Sequence, residues 1–469
     1  MVWWFPAPSR ISTAQPYDDF MKTIRKSVRY VLVSSVLMAL VSGSAVSAQA
    51  GVESHSPAGG FSRTPECPPV LECTFIPAAY AKTGPDPDDY GNYALADRPR
   101  DLKIRYIVID DTPGDLAETI KKYQDPTVQV STNYVIRASD GHVTQMVRTK
   151  NVAWEAGNWY TNMHAISIQH EGSATEGGFT EAQYRASAKL VRYLAKRFGI
   201  PLNRQHIIGH DNVPSPVPQD TAGMQFGPGP FWNWERYFTL LRAPIGGGPE
   251  RAGGLVTINP RFATNRPVVT DCSGKMCVRL PRQAANFVYL HTAPSREAPL
   301  LSDPALHPDG SPGTTEVSDW GDKAVTGQTF AVYKRVGDWV GIWYAGEIGW
   351  FRDPARKPTA VVTCGLVVSP RKGRNSIPVY GQAFPEKPAY RGTGVYPQPL
   401  VPLQYLITEG QRYAMDPARV PTDFLADEFG SIGTVVTGRE RYRQIWFNHR
   451  EAFVRASDVT VTDTCHPRA

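Results

Sequence analysis

Residues 104–109 read Ile-Arg-Tyr-Ile-Val-Ile, and residues 209–214 read Gly-His-Asp-Asn-Val-Pro. The first stretch is an apolar run that predicts a β-strand buried on both faces. Between the two stretches, strand-like and helix-like segments alternate, and Thr180 with Gln183 forms a capping box at the start of an amphipathic helix. This order predicts an α/β domain over residues 101–242, with a mixed sheet flanked by helices.

The sequence changes character after residues 246–249, Gly-Gly-Gly-Pro, which are typical of a linker. Beyond them, short aromatic and β-branched runs alternate with Pro/Gly turns, as in small all-β barrels. Trp343 and Trp446 each precede another aromatic residue by seven positions, which indicates two copies of one β module. The expected organisation is therefore a leader (1–50), an irregular segment (51–100), the α/β domain (101–242), a linker (243–255) and two β modules (256–363 and 364–469).

The leader has the pattern of a secretory signal peptide. A natural start at Met21 is followed by a basic stretch, a short apolar run and small residues that end in Ala-Gln-Ala at Ala50. Serines and a glycine break the apolar run short of the roughly 18–20 residues of a membrane helix. We expect cleavage after about Ala50, a secreted and cell-wall-associated protein, and no membrane span after cleavage.

The cysteine count agrees with export, and the net charge bears only on nucleic-acid binding. The chain has six cysteines, and their spacing favours the pairs Cys67–Cys73, Cys272–Cys277 and Cys364–Cys465, although other pairings remain open. The formal net charge is +6, of which the leader carries +3 through five basic and two acidic residues. The remaining charge is small, so the composition gives no indication of nucleic-acid binding.

Residues 101–242 resemble the peptidoglycan amidase family, which includes N-acetylmuramoyl-L-alanine amidases and shares the fold of peptidoglycan recognition proteins. The resemblance is strongest to secreted actinobacterial members, and the region after residue 250 resembles bacterial SH3-like domains. It rests on the order and spacing of these stretches: 106–109 (Tyr-Ile-Val-Ile) with Thr112, 139–141 (Ser-Asp-Gly), 145–147 (Gln-Met-Val), 153–159 (Ala-Trp-Glu-Ala-Gly-Asn-Trp), 168–172 (Ile-Gln-His-Glu-Gly), 209–214, and 228–234 (Pro-Gly-Pro-Phe-Trp-Asn-Trp).

The resemblance implies a zinc ion held by two histidines and an aspartate or cysteine, with a strand glutamate that transfers protons. The substrate it implies is the amide between muramic acid and L-alanine. His210 stands at its expected position, but the other positions hold different residues: Asp110 for the first histidine, Gly227 for the third ligand, Gln169 for the glutamate, and Asn133 and Glu155 for two further histidines. Glutamine cannot exchange a proton at any useful pH. We therefore expect no catalytic residues, no cofactor, and a pseudoenzyme that binds peptidoglycan or muropeptide.

Two alternatives remain open. One is an active amidase with a rewired zinc site of Asp110, His210 and Asp220, and the other is a structural or interaction protein that uses the SH3-like modules. Trp154, Asn158 and Trp159 stand, with His210, where the family lines its groove, and predict ligand contacts there; ordinary core packing is the competing interpretation. The sequence leaves the oligomeric state open.

Overall fold

The computed structural model of the chain describes residues 64–246 and 253–466. The expected signal peptide (1–50) and most of the Gly-Gly-Gly-Pro run lie outside the described residues. Within the described ranges, no helix has the length and apolar character needed to cross a membrane.

The N-terminal domain is built on a mixed sheet of six strands. The elements of this domain are β1 (Cys73–Phe75), β2 (Ala81–Lys82), β3 (Tyr90–Gly91), β4 (Tyr93–Ala94), β5 (Tyr106–Thr112), α1 (Leu116–Tyr123), β6 (Tyr134–Ile136), β7 (Val143–Gln145), β8 (Val152–Ala153), α2 (Trp159–His164), β9 (Ala165–Glu171), α3 (Glu181–Phe198), β10 (Ile207–Gly209) and α4 (Trp234–Leu240). The order of the six strands in the sheet is β1-β7-β6-β9-β5-β10; β6 and β7 pair antiparallel, and the other neighbours pair parallel. The predicted mixed sheet with flanking helices is thus confirmed.

The strand predicted at 104–109 lies at Tyr106–Thr112, so it ends three residues later than expected. Parallel pairing with β9 extends it, and the register places Asp110 opposite Gln169. Because of this pairing, the polar end of β5 is part of the sheet, and Asp110 lies next to Gln169, which stands at the position of the expected glutamate.

Helix α3 packs across the sheet and begins as the sequence predicts. The Thr180 side chain accepts a hydrogen bond from the Gln183 backbone, and the Gln183 side chain accepts one from the Thr180 backbone. Gly199 ends the helix in the left-handed conformation that glycine adopts without strain. The buried stripe of α3, which includes Val191 and Leu194, joins the sheet and the aromatic residues around α4 in one core.

The C-terminal region is rich in strands, and its strand pairing falls into two sets. The first set contains β11 (Leu255–Ile258), β12 (Thr270–Asp271), β13 (Val278–Arg279), β14 (Phe287–Tyr289), β15 (Lys323–Val325), β16 (Thr329–Val336), β17 (Trp339–Tyr344), β18 (Glu347–Arg352) and β19 (Ala360–Thr363). The second contains β20 (Leu366–Pro370), β21 (Ser376–Tyr380), β22 (Pro402–Thr408), β23 (Tyr413–Ala414), β24 (Asp423–Ala426), β25 (Thr434–Thr437), β26 (Tyr442–Trp446), β27 (Glu451–Arg455) and β28 (Val459–Asp463). This agrees with two all-β modules, while their SH3-like character remains a prediction.

The three disulfides are those that the spacing favours: Cys67–Cys73, Cys272–Cys277 and Cys364–Cys465. The last one joins the two ends of the second set of strands, next to the pairing of β20 with β28. It therefore closes the second set of strands, β20 to β28, as a covalent loop; this set is called the C-terminal module below.

The second set of strands packs on the α/β domain through buried charged side chains. Arg105, next to β5, donates to Asp416 at 2.9 Å and to Gln444 at 3.0 Å, and the Arg105 and Asp416 side chains are both buried. His206 faces the same carboxylate at 3.2 Å. Burying a charge is costly unless it is paired, so these contacts fix how the two regions fit together.

We predict that His164 makes a contribution to the stability of the fold that is lost in mild acid. This residue ends α2, its Nδ1 faces the Lys103 carbonyl at 2.7 Å, and burial lowers its pKa to about 3. In the unfolded chain the His164 imidazole takes up a proton below pH 6.5, whereas in the folded protein it stays neutral down to a much lower pH. The His164 contribution is complete above pH 6.5 and declines as pH falls towards 3, by about 1.4 kcal/mol per pH unit.

Urea unfolding at pH 6.5 and pH 5 measures this effect. Between pH 6.5 and pH 5, the free energy of unfolding of the wild type should fall by about 2 kcal/mol relative to that of His164→Gln. An equal change in the two proteins would contradict the prediction.

Candidate functional site

Asp110 and His210 meet at the ends of two neighbouring parallel strands. β10 pairs with β5, with Gly209 opposite Ile109, so the residue that follows each of these lies at the same edge of the sheet. His210 begins a short 3-10 helix, His210–Asn212, immediately after β10. Its Nδ1 lies 3.1 Å from Oδ2 of Asp110.

Glu155 completes the cluster. Its Oε1 lies 3.7 Å from the same His210 nitrogen, and one ligand atom from each of Asp110, Glu155 and His210 lies within 4.8 Å of the others. The alternative set with Asp220 is wrong in its third member, since no such group within the described ranges includes that residue. Asp220 belongs to a separate 3-10 helix, Pro218–Gly223, whereas Glu155 follows β8 in the core.

The cluster is enclosed and holds protons at neutral pH. The exposed fractions of Asp110, Glu155 and His210 are 6%, 2% and 1%. Burial opposes the charged form of His210, but the neighbouring Asp110 carboxylate outweighs it and raises the pKa to about 9. Burial raises the pKa of Glu155 to about 8, with a further rise from Asp110. Near pH 7 the cluster therefore contains an imidazolium and a protonated Glu155.

Gln169 is bound into the same network from the neighbouring strand. Its side-chain oxygen accepts a hydrogen bond from the Tyr123 hydroxyl at 2.6 Å, and its amide nitrogen donates to Asp110 at 3.4 Å. Both polar ends of the amide are engaged, and neither can give up or take on a proton near neutral pH. The side chain thus positions Asp110 and cannot act as a general base.

The space that a side chain at Gly227 would need is occupied by two carboxylates of β5. A Cβ at this position would lie 2.1 Å from oxygen atoms of both Asp110 and Asp111. A metal-binding side chain at 227 would require those carboxylates to move. Asn133 is likewise structural here, because its amide donates to the Val147 carbonyl and accepts from the Ser167 backbone.

The predicted groove residues contact protein in this structure. Asn158 caps α2 and donates to the carbonyls of Pro214 and Gly381. Trp159 donates its ring N–H to the Leu425 carbonyl of the C-terminal module. Trp154 is buried and packs edge-on against Tyr90, with the ring centroids 5.2 Å apart. Ligand contact through these side chains stays a prediction.

The turn between β26 and β27 lies against the loops that carry His210. His449 pairs with Asp211 at 3.0 Å, and its carbonyl accepts from Asn212 at 2.9 Å. The buried Arg450 guanidinium donates to the carbonyls of His210, Val213, Met224 and Gln225. The C-terminal module thus closes this face of the α/β domain.

Sequence reasoning missed two of these residues as members of the site. Glu155 could have been predicted as a member of the site, since it stands where the resemblance places a histidine. Arg450 could not have been predicted from the sequence. Its partners are backbone carbonyls, which every residue has, so no residue pattern marks them.

Two of the three donor spacings in this cluster are close to those around zinc. Two ligand atoms bound to a tetrahedral zinc lie about 3.3 Å apart, and the His210 nitrogen lies 3.1 and 3.7 Å from the carboxylate oxygens of Asp110 and Glu155. Oε1 of Glu155 has no hydrogen-bond partner among the described residues. The three side chains could therefore hold a metal once His210 and Glu155 lose their protons.

Comparisons with known proteins place the N-terminal domain in a family. A family model described as N-acetylmuramoyl-L-alanine amidase matches residues 100–229. N-acetylmuramoyl-L-alanine amidase A of Achromobacter lyticus is 32% identical over 174 residues, which cover 35% of this chain and 94% of that protein.

Two solved structures are more distant. A selenomethionine derivative of AmpD is 22% identical, and the match covers 36% of this chain and 94% of the AmpD chain, with a TM-score of 0.26. The E. coli amidase AmiD, in complex with the substrate anhydro-N-acetylmuramic acid-L-Ala-D-gamma-Glu-L-Lys, is 22% identical, with coverages of 29% and 57% and a TM-score of 0.25. The assignment rests on the sequence matches: this chain belongs to the N-acetylmuramoyl-L-alanine amidase family.

Proposed function

We propose that this protein is exported, binds peptidoglycan and does not hydrolyse it. The observation that carries the proposal is the closed cluster around His210, in which Gln169 replaces the proton-transferring glutamate and Arg450 ties the flanking loops to the C-terminal module. Hydrolysis requires a nucleophile, a proton carrier and access for the substrate. The described arrangement supplies no proton carrier at position 169 and keeps the cluster out of solvent.

Family membership supports peptidoglycan as the partner. AmiD is described with a muropeptide substrate, and the same class of ligand is proposed for this chain. Binding does not need the chemistry that bond breaking needs, so the one can persist when the other is lost.

The experiment compares the purified chain with the Achromobacter lyticus amidase on dye-labelled peptidoglycan in the presence of zinc. We expect the chain to sediment with the wall material and to release no dye above the buffer blank, while the relative releases it. Release by the chain would refute the non-hydrolysing part, and failure to sediment would refute binding.

A second candidate, an amidase with a rewired metal site, is favoured by the spacing of Asp110, Glu155 and His210. These residues would hold the ion, which would supply an activated water. Zinc should then raise the melting temperature of the wild type, and should not raise that of Glu155→Gln. An equal zinc response in both proteins would remove this candidate without any activity measurement.

A further inference from the structure

A second concave site lies between the α/β domain and the first β module. It is a cleft of about 430 Å³, within the range of small-ligand pockets. It shares no residue with the Asp110–Glu155–His210 cluster. Its walls include Phe179, Tyr184 and Phe231 from the α/β domain, and Phe262 and Gln283 from the first β module.

Aromatic rings form part of this cleft and are held in place by packing. Phe231 and Tyr184 are buried, whereas Phe179 and Phe262 are partly exposed. Phe179 meets Trp232 edge-on, with ring centroids 5.0 Å apart. The partly exposed rings offer apolar surface on a rigid support.

Gly177 brings the backbone close to this surface. Its φ is +78°, and a Cβ there would lie 3.1 Å from Phe231 and 3.2 Å from the side-chain oxygen of Gln283. A larger residue would therefore crowd the contact between the two regions, and the left-handed conformation itself favours glycine.

Polar groups in the cleft have hydrogen-bonding capacity left. Gln283 donates its amide to the Glu176 carbonyl at 3.2 Å, while its side-chain oxygen accepts no hydrogen bond from the described residues. Asn233 uses its side-chain oxygen to cap α4, and its amide nitrogen donates to none of them. Arg236 is held by Glu181, so this pair adds no net charge.

We propose that the cleft binds an N-acetylated amino sugar of a glycan strand. An acetamido group carries one N–H and one carbonyl, which match the free oxygen of Gln283 and the free amide of Asn233. The C–H face of a sugar ring packs on aromatic rings such as Phe179 and Phe262. This inference rests on the proposed function and gives it a location, since the predicted groove residues Asn158, Trp159 and His210 contact the C-terminal module.

The test is calorimetric titration of the full chain with the trimer of N-acetylglucosamine. Wild-type protein should bind it, and Phe262→Ala and Gln283→Ala should each weaken binding about tenfold. Tyr396→Ala removes an aromatic ring that is 87% exposed and does not line the cleft, and it should bind as the wild type does. Melting temperatures verify that each variant is folded, and Gln283→Ala removes no ring from the domain interface.

No binding by the wild type, or equal binding by the wild type and both cleft variants, would overturn the inference. Sedimentation with whole peptidoglycan separates this result from the proposed function. If the wild type sediments with the wall but does not bind the trimer, the cleft assignment fails and wall binding stands. If the trimer binds through the cleft residues but the wall is not bound, the cleft assignment stands and the proposed function fails.

Discussion

Arg450→Met should lower the free energy of unfolding by about 3–5 kcal/mol, because it leaves several buried backbone carbonyls without a hydrogen-bond donor. The guanidinium donates to the Val213 carbonyl at 2.8 Å and to the Gln225 carbonyl at 2.9 Å, with longer contacts to His210 and Met224. Methionine keeps a side chain of similar length over Trp320, but it leaves the carbonyls of Val213, Met224 and Gln225 without this donor. The His210 carbonyl keeps the Val213 backbone N–H. An unsatisfied buried polar group costs about 1–3 kcal/mol, so several together produce a large effect.

Urea unfolding measures this loss, with Arg352→Met as the matched control. Arg352 pairs with Asp338 at 3.0 Å on the surface, and exposed ion pairs contribute about 0–1 kcal/mol. The control should therefore stay within about 1 kcal/mol of the wild type. A loss of similar size in the two variants would mean that the buried contacts of Arg450 do not hold the C-terminal module on the α/β domain.

Removing the Cys364–Cys465 disulfide should cost about 4–5 kcal/mol, the value expected for a loop of about 100 residues. The bridged cysteines are 101 positions apart, so the crosslink removes much of the freedom of the unfolded chain. The double variant Cys364→Ala/Cys465→Ala tests this, and the bridge Cys272–Cys277 gives a control with a separation of five positions. The control double variant should lose only about 2 kcal/mol by the same relation.

Both double variants are compared by urea unfolding under oxidising conditions. The difference between them, about 2–3 kcal/mol, isolates the dependence on loop length because each variant loses one disulfide. Equal losses would show that the long loop is already constrained in the unfolded chain, or that native contacts near the bridge dominate.

Much of the α/β domain could be predicted because its signals are local. The apolar run of β5, the capping box of Thr180 and Gln183, and the spacing of the cysteines each express a preference of a few neighbouring residues. The replacement of the catalytic glutamate by Gln169 was also visible in the sequence, since it needs only the position of one residue in a strand. The strand boundary was less predictable, because pairing with β9 extended β5 to Thr112.

The sequence by itself determined the family, the mixed sheet and the replacement of the expected ligands, since motifs and spacings record these properties directly. The spacing of the cysteines favoured the observed disulfides and left other pairings open. Only the tertiary structure decided that Glu155, and not Asp220, joins Asp110 and His210. It also decided that Arg450 closes the site from more than 200 positions away. The physical reason is that loop packing sets which carboxylates converge, and that a buried arginine bound to backbone carbonyls depends on the shape of the chain rather than on the identity of its partners.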